Sequence, residues 1–126
     1  MTNGITYSQG SIVLVPFPFT NLSLEKKRPA LVISPNWFNQ CYQDRVLTAI
    51  SSASSAYLTE QEDTIINIET CDIKEGSLHK KSIVKLTRIF TCAEYIIIKE
   101  IAQLKEEKLS EVLEKLRVFF GEQTTD

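Results

Sequence analysis

A chain of 126 residues, 43% hydrophobic and 24% charged, is sized for one domain with a substantial core, and its composition is that of an ordinary globular protein. Its net charge of −2 excludes wholesale polyanion binding, so any nucleic-acid contact has to come from a local basic patch. Cys41, Cys71 and Cys92 form an odd, widely spaced set without a CxxC pair, which fits reduced cytoplasmic thiols better than a disulfide framework or a zinc site.

Residues 1–9 read as a polar lead-in without the basic start and apolar run of a secretory signal, and no stretch reaches the ~18 apolar residues of a membrane span. Ser11-Ile12-Val13-Leu14-Val15 is short, apolar and β-branched, the pattern of a buried strand. Pro16 and Pro18 remove two backbone donors, which predicts a strand end or edge. Thr20 to Lys27 reads as a surface loop, and Pro29 opens a second strand over Ala30 to Ile33. Trp37 to Asp44 has no period and reads as a loop. A third strand spans Arg45 to Ile50 and ends in the hydroxyl-rich Ser51 to Ser55, and a fourth covers Asp63 to Glu69. Asp72 to Gly76 is turn material. Ser82 to Ile89 is a fifth strand, with Val84, Leu86 and Arg88 on one face, so that Arg88 is expected beside inward apolar residues. Tyr95 to Ile101 is a sixth strand. The period then changes: Leu109, Val112, Leu113, Leu116 and Phe120 form one helical stripe, with Glu106 and Glu107 at its start, Lys115 and Arg117 near its end and Gly121 placed to stop it. The expected class is α+β, mainly β: a small twisted barrel or half-open sheet of about six strands with a C-terminal helix, one domain over 1–126 with a tail from 121.

Three groups of residues are candidates for chemistry. Lys26-Lys27-Arg28 would ordinarily be a solvated charge cluster, but Arg28 precedes Pro29 and a buried strand, which restricts its backbone. A guanidinium offers forked, charged donors suited to phosphate. Ser51 to Ser55 is ordinarily a polar turn; functionally, one hydroxyl at the strand end would reach a phosphate oxygen near Arg28. His79-Lys80-Lys81, with Lys85 and Arg88, is the second basic segment, and seven of the sixteen acidic residues lie from Glu100 onward, so one face can be locally positive. A single histidine and no Gly-x-Ser-x-Gly turn argue against a hydrolase triad. His79 reads as a surface residue and Phe17, Phe19, Trp37, Phe38 and Tyr42 as core or lid, with base stacking the minority role. No Walker loop, dinucleotide fingerprint or metal-ligand cluster is visible.

Gly10-x-Ile12-Val13-Leu14-Val15-Pro16-Phe17-Pro18-Phe19-Thr20, then Lys27-Arg28-Pro29-Ala30-Leu31-Val32-Ile33-Ser34, resemble the PemK/MazF family of toxin endoribonucleases from bacterial toxin–antitoxin pairs. Thr48-Ala49-Ile50-Ser51-Ser52, Ser82 to Leu86 and the closing strand and helix extend the resemblance over roughly residues 8 to 120. Ser11 stands where the family usually has an acidic residue, and Arg88-Ile89-Phe90 where many members have Gln-Ile-Arg. The resemblance implies a small SH3-like barrel that acts as a homodimer and cuts single-stranded RNA with no metal or other cofactor. It implies that an arginine and a hydroxyl carry catalysis, at Arg28 and at Ser51 or its neighbour Ser52. Lys26, Lys27, Thr20, Lys85 and Arg88 are then the candidates for contacting RNA. The implied inhibitor is a cognate antitoxin with a disordered, acidic segment. Two other readings are a barrel that only binds RNA or a protein partner, and a toxin directed at a topoisomerase.

Overall fold

The computed structural model describes residues 5–17, 26–52, 62–78 and 80–121. In chain order the elements are β1 (Ser11–Phe17), β2 (Lys26–Val32), α1 (Asn36–Cys41), β3 (Asp44–Ser52), β4 (Ile65–Ile68), β5 (Ile73–Gly76), β6 (Ser82–Ala93), β7 (Lys99–Leu104) and α2 (Glu106–Gly121). Single 3-10 turns lie at Glu62–Thr64, Thr70–Asp72 and Glu94–Ile96. The strands make one antiparallel sheet in the order β4-β6-β3-β2-β1-β7-β5.

This sheet has to curl. Seven strands laid flat are roughly 30 Å across, yet the outermost strands β4 and β5 are joined only by residues 69–72, which reach at most about 18 Å even when extended. Register shifts at Ile12/Val13, between Thr48 and Ile50, and between Ile73 and Glu75 supply local bends. Gly76 lies where β5 folds onto β7 with φ +76°, and a side chain there would run into the backbone of Ile101 and Ala102.

Side-chain alternation sorts the core onto two faces. Ile12, Leu31, Ile50, Val84, Leu86 and Ala102 belong to the larger cluster, closed by Val112 and Leu116 of α2. Val13, Val15, Ala30, Val32, Leu47 and Ile97 form a smaller cluster on the other face. The helix matches its stripe at Leu109, Val112, Leu113 and Leu116, while Phe120 is 66% exposed. Glu106 and Glu107 do occupy its first turn, but its last turn carries no basic residue: Lys115 donates to the Ile65 carbonyl and Arg117 pairs with Glu114.

The mainly β chain with a terminal helix is as expected; several boundaries are not. β2 begins at Lys26, so the cations expected in a loop lie on a strand. The prolines permit this because each sits where one ladder has ended: β1 pairs with β7 only up to Leu14, before Pro16, and β2 pairs with β3 only from Ala30, after Pro29. Residues 36–41 are a short helix rather than a loop, anchored by buried Asn39, whose amide donates to the Ser34 carbonyl while the Ser34 hydroxyl donates to Asn39 Oδ1. Residues 73–76 are a strand rather than a turn, β6 runs on to Ala93, and β7 starts at Lys99 rather than Tyr95. Tyr95, Ile96 and Ile98, expected in that last strand, are exposed.

Candidate functional site

Arg28 lies on β2 opposite Val15 of β1. It is half-buried and has no hydrogen-bond or ion-pair partner among the described residues. Ser51 lies near the end of β3 opposite Ile83 of β6. Its hydroxyl oxygen is buried and has no hydrogen-bond partner among the described residues. The β2–β3 ladder pairs Val32 with Leu47, Leu31 with Thr48 and Ala30 with Ala49 before it stops. Carried two residues further, the same register sets Arg28 against Ser51. Alternation puts both on one face: Arg28 follows Ala30 and Val32 of the smaller cluster, and Ser51 follows Leu47 of that cluster and Ala49. Two positions 23 apart in sequence thus face the same side of adjacent strands.

The two serine candidates separate. Ser52 points to the opposite face, where it lines a pocket of about 330 Å³ with Leu14, Pro29, Leu78 and Ile101. Lys80 and Lys99 stand at the rim of that pocket. Of the other candidates, Lys27 is exposed opposite Pro16, and Lys26 opens β2 opposite Phe17. Lys85 is half-buried, and its backbone carbonyl accepts the Thr48 hydroxyl. Thr20 and His79 lie outside the described residues.

Arg88 corrects the strand reading. It is exposed and does not share the inward face of Val84 and Leu86. β3 pairs Thr48 with Ile89 but Ile50 with Val84, so β6 spends five residues where β3 spends two. The excess falls on Lys85 to Arg88 and breaks the period that alternation assumes, and Ile89 rejoins the larger cluster.

Three polar features were not visible in the sequence pattern. Arg45 is 1% exposed; its guanidinium donates to the carbonyls of Thr6, Tyr7, Tyr42 and Asp44 at 2.7–3.2 Å and lies 3.6 Å from the Glu94 carboxylate. It pins the lead-in to the start of β3. A charged residue flanking an apolar strand was the available signal, but it does not distinguish a buried peg from a solvated end. Buried Ser11 donates to Glu100 of β7 at 2.9 Å, so a carboxylate does face this position, from the neighbouring strand. Thr48, also buried, bridges β3 to the irregular part of β6.

The described ionisable groups include no cluster of three or more His, Cys, Asp or Glu side chains able to hold a metal ion. Burial, and then the Asp44 carboxylate, pushes the Cys92 thiol above its ordinary pKa. Lys108 is held above its usual range despite the opposing effect of burial, because Glu111 at 2.9 Å and Asp72 at 3.7 Å stabilise its charge. No described helix is long and apolar enough to cross a membrane.

The fold recurs in solved toxin structures. A mycobacterial endoribonuclease in complex with its cognate antitoxin superposes with a TM-score of 0.73 at 12% identity, covering 95% of this chain and 100% of that one. MazE-MazF from Deinococcus radiodurans gives 0.65 at 18% identity over 92% of this chain and 96% of that one. The Mycobacterium tuberculosis toxin MazF-mt6 gives 0.63 at 13% identity over 84% and 91%. No curated protein sequence matches the chain. The family model described as "PemK-like, MazF-like toxin of type II toxin-antitoxin system" matches residues 8–120, and the chain belongs to that family.

Proposed function

We propose that this toxin is a metal-independent endoribonuclease of single-stranded RNA, with Arg28 and Ser51 as its catalytic pair. The observation that carries the reading is the Ser51 hydroxyl, buried without a partner among the described residues on the sheet face that Arg28 also occupies. A buried hydroxyl left unpaired costs about 1–3 kcal/mol, and such a group is expected where a ligand completes its hydrogen bonding. The ribose 2′-oxygen attacks the adjacent phosphorus, the bond from phosphorus to the 5′-oxygen breaks, and the products are a 2′,3′-cyclic phosphate and a 5′-hydroxyl. Negative charge builds on the non-bridging oxygens, where the Arg28 guanidinium and the Ser51 hydroxyl donate. The attacking 2′-hydroxyl gives its proton to water and the departing 5′-oxygen takes one up, so the proton count balances; Arg28, reprotonated from solvent each turnover, is the donor proposed for the 5′-oxygen.

Ser52, on the other face, is not part of this pair, which favours Ser51 as the hydroxyl. Lys26, Lys27, Thr20, Lys85 and Arg88 contribute charge and hydrogen bonding to the RNA backbone. The toxin works as a homodimer in the cytoplasm, and its natural inhibitor is an antitoxin segment, disordered when free and acidic enough to cover Arg28. The solved mycobacterial and Deinococcus complexes with antitoxins support such a partner.

The test is cleavage of a single-stranded RNA by wild type, Arg28→Ala and Ser51→Ala, with the 3′ ends of the products analysed. Wild type is expected to leave 2′,3′-cyclic phosphate, and each variant to lose about 10²–10³ in rate. Equal cleavage by wild type and Arg28→Ala, or none by either, would sink the proposal.

A further inference from the structure

We propose that the pocket lined by Leu14, Pro29, Leu78 and Ile101 holds one nucleobase of the RNA beside the scissile phosphate, and so sets which sequence is cut. This rests on the ribonuclease reading above.

Position is the first argument. Pro29 directly follows Arg28 and Ser52 directly follows Ser51, so two walls of the pocket are one residue removed from the candidate catalytic pair, on the other face of the same strand ends. Consecutive strand residues advance only about 3.3 Å. A strand of RNA whose phosphate lies at Arg28 and Ser51 can therefore turn a neighbouring base round the edge into the pocket.

Size is the second argument. At about 330 Å³ the pocket stands at the low end of small-ligand sites, with room for a base or a nucleoside and not for a longer segment. Its chemistry matches as well. Leu14, Pro29, Leu78 and Ile101 offer apolar surface to the faces of a ring, while Ser52 and Ser77 bring hydroxyls to where the polar edge would sit. Lys80 and Lys99 are exposed at the rim, form no salt bridge among the described residues, and have no carboxylate beside them in the lining. They supply the charge that holds flanking phosphates. The Ser82 hydroxyl donates to the Lys80 carbonyl at 2.9 Å, which ties that lysine's backbone to the pocket wall. An apolar side chain of an acidic protein segment would satisfy the floor and the lysines but leave the Ser77 hydroxyl unused.

Two variants at exposed rim positions test this without disturbing the core: Lys99→Gln, which removes a rim charge, and Ser77→Trp, which fills the mouth. Cleavage sites of wild type and both variants are mapped on a random single-stranded RNA pool. The nucleotide preference at one position next to the cut is expected to change by about tenfold in at least one variant. In parallel, short RNAs carrying 4-thiouridine at each position in turn are photo-crosslinked to the wild type and to Arg28→Ala. One position is expected to crosslink to the peptides around Leu78 and Ile101 in both proteins. Unchanged preferences in both variants, with crosslinks mapping elsewhere, would overturn the assignment while leaving the ribonuclease reading intact. Crosslinks in the pocket from a wild type that cuts nothing would support the base site and remove the catalytic reading. Variants that keep the wild-type cutting pattern but escape inhibition by the acidic antitoxin would assign the pocket to the protein partner and overturn the proposal.

Discussion

At Ser51, stability and the proposed activity pull in opposite directions. Its hydroxyl is buried without a partner among the described residues, so Ser51→Ala should raise stability by about 1–3 kcal/mol while abolishing most cleavage. Urea titration beside the RNA assay separates the two, and a drop in both would mean that the hydroxyl is structural. Arg45 behaves in the opposite way. Arg45→Met strands the carbonyls of Thr6, Tyr7, Tyr42 and Asp44, and is expected to cost about 3–5 kcal/mol in chemical denaturation. Cys92 shows a third pattern. Because its thiol pKa is raised by burial and by Asp44, the folded state holds that proton more tightly than the unfolded chain does. The resulting stability is fully present below the unfolded thiol's pKa and is lost as pH rises through the folded one. Iodoacetamide near neutral pH should label exposed Cys41 and Cys71 before Cys92, which peptide mass spectrometry reads directly. Arg28 was singled out in the sequence because it abuts Pro29 and the buried strand and matches the family pattern, but nothing local to either residue put Ser51 on the same face of the sheet.

Legibility at the element scale followed burial. β1, β3 and α2 were readable because each carries a run or stripe of residues that the core needs, such as Ile12, Leu47 and Val112. Helix α1 and strand β5 were not, because six and four residues hold too little periodicity to compete with turn composition. β7 was displaced because Tyr95 to Ile98 is as apolar as a strand although only Ile97 of the four is buried, while β7 itself buries Ala102 and Leu104. Arg88 was misplaced because alternation was carried across the irregular stretch of β6. The α2 stripe yields a paired expectation. Leu116→Ala opens the core and should cost about 2–5 kcal/mol. Phe120→Ser, at an exposed position of the same stripe, should stay within about 0.5 kcal/mol, and thermal melts of the two variants decide whether Phe120 carries packing.

For the molecule as a whole, several apolar side chains stay outside the core. Tyr42 and Tyr95 are 55% and 83% exposed and flank the hydrogen bond between the backbones of Gln43 and Glu94, with Ile96 beside them. Such a patch suits the proposed homodimer. Light scattering should give a dimer for the wild type, and Tyr95→Glu should weaken it without lowering the melting temperature of the monomer. An unchanged dimer would put the interface elsewhere. The sequence by itself determined the class of fold, because alternating strands and a helical stripe dictate which side chains seek a core. It also singled out the arginine at the mouth of β2 as a candidate and narrowed the candidate hydroxyl to Ser51 or Ser52. Only the tertiary structure separated those two onto opposite faces: neighbouring residues on a strand face opposite ways, and which way depends on a strand register set by partners distant in the chain. It also decided where the irregular stretch of β6 turns Arg88 outward, and where the curled strand ends leave a pocket beside the candidate pair.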